Sequence, residues 1–141
     1  MRGRPINWQR PSDGYVKCNV DASVFADKGV SSYGEILRDG LGNFVAALAG
    51  SFEGIFEPTV AEAIGVREAL SWLKGIGENQ VIVETDALQV VHAIKGGRAD
   101  SSYFGGIIDE CKLMLMDLRS YKVSFVRRSA KLGSPYHWKG G

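Results

Sequence analysis

From residue 15 to residue 22 the chain alternates strictly. Val16, Cys18, Val20 and Ala22 fall on one side, and Tyr15, Lys17, Asn19 and Asp21 on the other. A period of two marks a strand with one buried face, so the pattern predicts a strand over Tyr15–Ala22 with Asp21 near its C-terminal end. Residues 25–30 read as a turn. Two further strand-like runs cover Ser31–Arg38 and Asn43–Phe52. Between them lies Asp39-Gly40-Leu41-Gly42, a hairpin signal because glycine accepts positive φ at no steric cost. The first part of the chain therefore reads as three antiparallel strands.

After a loop over Glu53–Pro58 the period becomes helical. Glu62, Val66, Ala69 and Leu73 are spaced as neighbours on one helical face. A proline ahead of this stretch suits a helix start, where its missing N–H would be unpaired anyway. Gly75-Ile76-Gly77 suits a left-handed C-cap. Gln80–Thr85 is short and β-branched, and a strand arriving directly after a helix favours a parallel crossover. Asp86 ends it. Ala87–Lys95 reads as a short helix with Leu88, Val91 and Ile94 on one side, stopped by Gly96-Gly97, and His92 reads as a surface side chain. Tyr103–Leu118 is amphipathic, with Phe104, Ile107, Ile108, Cys111, Leu115 and Leu118 on one face. Met114 and Met116 flank that face and read as core filler. Tyr121–Val126 alternates again as a last strand.

The order β-β-β-α-β-α-α-β predicts an α/β fold: a five-stranded mixed sheet, three antiparallel strands followed by parallel crossovers, with helices packed on it. Residues 1–13 are expected to form an extended arm anchored by Trp8, residues 14–128 the domain, and residues 129–141 an irregular tail, since Gly133, Pro135, Gly140 and Gly141 leave no room for a long helix.

Composition narrows the class. The 141 residues are 45% apolar and 23% charged, the profile of one soluble globular domain. No apolar run approaches the roughly 20 residues of a membrane span. The basic N-terminus lacks a following apolar segment, so no secretory signal is expected, and the expected compartment is intracellular, nuclear or cytoplasmic. Cys18 and Cys111 fall on apolar faces and read as buried thiols, not as a disulfide framework. The formal net charge of +1 restricts any phosphate contact to a local patch. Lys95, Arg98, Arg127, Arg128 and Lys131 are candidates for it, against the plainer reading of solvated loop charges. A monomer is expected.

Three carboxylates carry the candidate chemistry. Glu62 heads an apolar stripe, and glutamate is rarely buried unless paired or bound to metal. Each acid has a plain alternative. Glu62 could close a capping box with Thr59, Asp86 could cap the next helix with Gln89, and Asp21 could be the polar face of an edge. If the first and fourth strands are neighbours and the helix packs over them, all three converge at one end. Such anions repel unless a cation balances them. A donor set of Asp and Glu without His or Cys points to Mg²⁺ or Mn²⁺ over zinc. Two such ions about 3.5–4 Å apart can activate a water and stabilise the leaving oxygen of a phosphodiester.

These residues also resemble a known family. The element order resembles the ribonuclease H fold, and the local motifs resemble the plant reverse-transcriptase-like ribonuclease H domain of retroelement-derived proteins. The resemblance is carried by Trp8 through Ala22, by Gly34-Glu35-Ile36-Leu37-Arg38-Asp39, by Ala61-Glu62-Ala63 with Arg67-Glu68-Ala69-Leu70, and by Val83-Glu84-Thr85-Asp86 with Val90-Val91-His92-Ala93-Ile94. It spans about residues 8–130. It implies an endonuclease that cuts the RNA strand of an RNA–DNA hybrid with Mg²⁺ or Mn²⁺, two ions when active. Asp21, Glu62 and Asp86 would be the metal-binding and catalytic acids, and the hybrid would be recognised through 2′-OH groups across a wide minor groove. The C-terminus departs from the pattern. Lys131 stands where the family has Asn, and no Asp follows it. His137 is nearby but has no secure alignment, so the fourth ligand is missing. Two functions stay open: a metal-dependent ribonuclease H, and a domain that keeps the fold as a nucleic-acid-binding or interaction module without catalysis.

Overall fold

The computed structural model describes residues 15–54, 57–97 and 101–127. The arm over residues 1–13, the tail over 129–141, and with them Arg98, Arg128, Lys131 and His137, lie outside the described residues. Strand β1 (Val16–Phe25) runs three residues beyond its expected end. A single 3-10 turn, Ala26–Lys28, closes on Gly29 and leads into β2 (Val30–Arg38), which pairs antiparallel with β1. The hairpin to β3 (Phe44–Glu53) turns where expected. Asp39 Oδ1 accepts from the backbone N–H groups of Leu41 and Asn43, both at 2.9 Å, and Gly42 takes φ +88°.

Helix α1 (Pro58–Ile76) then crosses the sheet and returns as β4 (Val81–Thr85), which lies parallel to β1. Two more helices, α2 (Leu88–Lys95) and α3 (Tyr103–Asp117), lead to β5 (Tyr121–Phe125), parallel to β4. The strand order is β3-β2-β1-β4-β5, so the first strand made is the middle of the sheet. This is the five-stranded mixed sheet expected from the element order.

The buried alternation of β1 is realised. Val16, Cys18 and Val20 are fully buried, as are Val81 and Val83 of β4 and Leu37 of β2. Against them press Val66, Ala69, Leu70 and Leu73 of α1, with Ile107, Ile108 and Cys111 of α3 behind. Burying each of the larger aliphatic side chains contributes about 1.5–3 kcal/mol, which makes this layer the main source of stability. Both cysteines are buried free thiols. Burial pushes the Cys111 thiol up to about 12. Gly77 caps α1 at φ +81°.

Two open alternatives and one expectation are not met. The N-cap of α1 is Glu57, without a side-chain cap bond, because Pro58 itself occupies the first turn. The Thr59–Glu62 capping box therefore does not form, and the Thr59 hydroxyl turns outward to donate to Gln89 Oε1 at 3.1 Å. Nor does Asp86 cap α2 with Gln89: the N-cap there is Ala87, whose N–H donates to the Thr85 hydroxyl. Met116 is not core filler. It is 71% exposed, since α3 ends at Asp117 and its buried stripe runs along Ile107, Ile108 and Cys111. Met114 does pack against the core.

Candidate metal centre

Asp21 comes from the middle of β1, on the face opposite Val20, two residues past the last residue that pairs with β4 but one. Asp86 follows the last residue of β4. The parallel register sets Val20 beside Thr85, so the residue after each strand position, Asp21 and Asp86, emerges at the same end of the sheet. Thr85 is fully buried, and its hydroxyl accepts from the Ala87 backbone N–H at 3.1 Å. That bond bends the chain just where Asp86 leaves the strand.

Glu62 arrives from the first turns of α1. The helix can sit close enough because of Gly65. A Cβ there would stand 3.2 Å from Val20 Cγ1, 3.5 Å from Tyr33 Cβ and 3.9 Å from Ala22 Cβ. One helical turn before this contact, the Glu62 side chain reaches the strand ends. The Thr59–Gln89 hydrogen bond ties the start of α1 to the start of α2 beside it.

The result is a cluster in which carboxylate oxygens of Asp21, Glu62 and Asp86 all lie within 4.8 Å of one another, each residue half-buried. The three acids singled out from the sequence are therefore brought together. Three carboxylates at this spacing repel, and a hard dication is the balancing charge that suits an all-oxygen donor set. The donors present thus fit Mg²⁺ or Mn²⁺. Among the described residues this is the one group of three or more His, Cys, Asp or Glu side chains so placed.

Sequence reasoning missed a layer beneath the cluster. Asn19 and Glu84 are register partners two residues before Asp21 and Asp86, and Asn19 Nδ2 donates to Glu84 Oε1 at 3.0 Å. Lys17 Nζ stands 3.9 Å from Glu84 Oε2. The polar face of the strand alternation held this signal, since Lys17, Asn19 and Asp21 share it. His92 is exposed on α2, and Lys95 and Arg127 are exposed cations.

The structure matches solved ribonucleases H closely in shape and weakly in sequence. Ribonuclease H1 of the halophilic archaeon Halobacterium salinarum superposes with a TM-score of 0.74 at 18% identity, covering 86% of this chain and 92% of the other. LC11-RNase H1, isolated from compost and solved in complex with an RNA/DNA hybrid, gives 0.72 at 16% identity, with 85% and 91% covered. The foamy viral protease-reverse transcriptase, also solved with an RNA/DNA hybrid, gives 0.64 at 13% identity over 94% of this chain and 20% of that one. No curated protein matches the chain in sequence. These likenesses establish a ribonuclease H-like fold. A family model described as reverse transcriptase-like matches residues 19–132, most of the chain. On that match, with the fold it carries, the chain belongs to the reverse transcriptase-like family.

Proposed function

We propose that this domain is a divalent-metal-dependent endoribonuclease that cuts the RNA strand of RNA–DNA hybrids. The observation that carries the reading is the convergence of Asp21, Glu62 and Asp86 within 4.8 Å, drawn from two strands and a helix far apart in sequence. Two similar structures, LC11-RNase H1 and the foamy viral enzyme, hold RNA/DNA hybrids, which supports the choice of substrate. Asp21, Glu62 and Asp86 would hold the Mg²⁺ or Mn²⁺, one ion or two. When bound, such ions supply Lewis-acid activation of water and neutralise charge on the phosphodiester. The chain's own part is to present three carboxylates on rigid elements, one within β1, one just past the end of β4 and one on a helix held close by Gly65. Exposed Lys95 and Arg127 are the described cations assigned to phosphate contact. The working unit is residues 14–128, acting as an intracellular monomer.

The test is cleavage of a labelled RNA–DNA hybrid in Mg²⁺ or Mn²⁺, beside Asp86→Asn. Metal-dependent cutting of the RNA strand, lost in the variant, supports the enzyme. A folded protein that cuts nothing overturns it.

One observation favours a second reading. The cluster holds three acids among the described residues, and residues 129–141 contain no Asp or Glu to add a fourth. On this reading the domain binds nucleic acid, or another partner, without cutting. Retained hybrid binding with no cleavage in either metal is the result that selects it.

A further inference from the structure

Glu35 lies in the middle of β2, paired across the sheet with Val20 on one side and Leu48 on the other. Its side chain is on the helix-covered face with Tyr33 and Leu37, and the residue is 1% exposed. Among the described residues, neither carboxyl oxygen has a hydrogen-bond partner. A buried carboxylate with no donor and no cation is among the costliest groups a core can hold, and the usual resolution is to keep its proton.

The groups around it deepen the problem. From β1 the titratable neighbour is Cys18, a buried thiol whose own ionisation is opposed by burial and by Glu35. From β2 itself it is Tyr33, whose phenol is also pushed up, first by burial and then by Glu68 and Glu35. From α1 it is Glu68, a second acid. The cation on this side of α1, Arg67, is already held by Glu110 at 2.7 Å and by Glu68 at 3.3 Å. Its register partner on β3, Leu48, brings no charge. Burial, then Glu68, pushes the Glu35 carboxyl up to about 8.

We propose that Glu35 is a proton-held latch: its carboxyl keeps its proton in the fold at neutral pH, and the packing of α1 on β1 and β2 loses stability as rising pH makes that proton costlier to hold. The sign follows from linkage. In the unfolded chain this acid ionises near 4.5 and in the fold near 8, so between those values the folded state binds the extra proton. Stability is therefore undiminished below the lower value, falls as pH rises between the two, and levels off above the higher. Glu35 itself takes no part in the carboxylate cluster, because it lies on the opposite face of the sheet from Asp21.

The experiment is urea unfolding of the full chain and of Glu35→Gln at steps from about pH 5 to about pH 9. The amide keeps the shape and removes the proton. Because every other titrating group is common to both proteins, the ratio of their folding equilibrium constants isolates Glu35. That ratio is expected to rise in favour of the variant by up to about tenfold per pH unit and to flatten above about pH 8. A ratio independent of pH overturns the proposal, and so does one that moves in favour of the native chain. Either shows that the carboxyl is already ionised in the fold across this pH range. Should Glu35→Gln fail to fold, the side-chain carboxyl ¹³C shift of Glu35 in the native chain decides the matter. A midpoint well above the ordinary glutamate range supports the latch, and one within it overturns it. Glu68→Gln, which removes the second acid, is expected to move that midpoint down.

Discussion

Glu62 and Glu35 belong to elements that pack on one another, yet they occupy opposite environments. Glu62 is half-buried and meets two more carboxylates at the end of the sheet. Glu35 is sealed between β1, β3 and α1 with a second acid, Glu68, as its charged neighbour. Water and a dication can reach the first site, so crowding three negative charges there creates affinity for a cation. Neither reaches the second, so the same side chain takes a proton. The difference teaches that a carboxylate's neighbours matter less than what can come in to balance it.

The sharpest way to break the comparison is at the metal centre. Asp86→Asn keeps the side-chain shape and removes one charge. Changes outside a metal's ligand set already cost about 10–100-fold, so loss of a ligand is expected to lower cleavage by at least about a hundredfold, read in the labelled-hybrid assay with circular dichroism to show the fold intact. Next comes Gly65→Val, which acts on both regions because Gly65 lies between Glu62 and Glu68 on α1. The added methyls meet Val20, lift the helix, and are expected to cost about 1–3 kcal/mol in urea unfolding while also weakening metal affinity.

A third measurement separates the regions by ligand. Mg²⁺ or Mn²⁺ at about ten to a hundred times its dissociation constant should stabilise the native chain by about 1.4–2.7 kcal/mol in thermal unfolding, and should leave Asp86→Asn unmoved. Chelation should reverse it. In the same assay Glu35→Gln keeps the full metal response, since its carboxyl takes no part in the cluster. The smallest effect is expected from Thr59→Val, which removes the exposed bond to Gln89. Its cost is about 0.5–1 kcal/mol, with a modest loss of metal affinity as the starts of α1 and α2 part.

Much of this was legible before any coordinates. Strict alternation from Val16 to Ala22 located β1, the Asp39–Gly42 turn located the hairpin, and the stripe of Val66, Ala69 and Leu73 placed α1 with its buried face. The convergence of the three acids was legible only as a condition, because sequence does not state which strands are neighbours; the β1–β4 pairing supplied that. The capping boxes, open alternatives in the sequence, do not form: at α1 Pro58 takes the first turn and the cap falls on Glu57, leaving Thr59 to bond Gln89, and at α2 the cap falls on Ala87. Glu35 passed unnoticed although its signal was present. Counting by twos back from Leu37 puts it on the apolar face, where a charged residue contradicts the strand pattern and so marks a special environment.

The central place of β1 also governs when the site comes into being. β1, β2 and β3 are consecutive hairpin-linked strands and can pair as soon as residue 53 is made. That early unit contains Asp21 but neither of its companions. Val16 must wait for Val81, 65 residues later, before β1 gains its second neighbour. Closing so long a loop is slow relative to local pairing. The three carboxylates thus meet only once the long crossover closes, and a nascent or nicked chain with an intact hairpin is blind to metal until β4 docks.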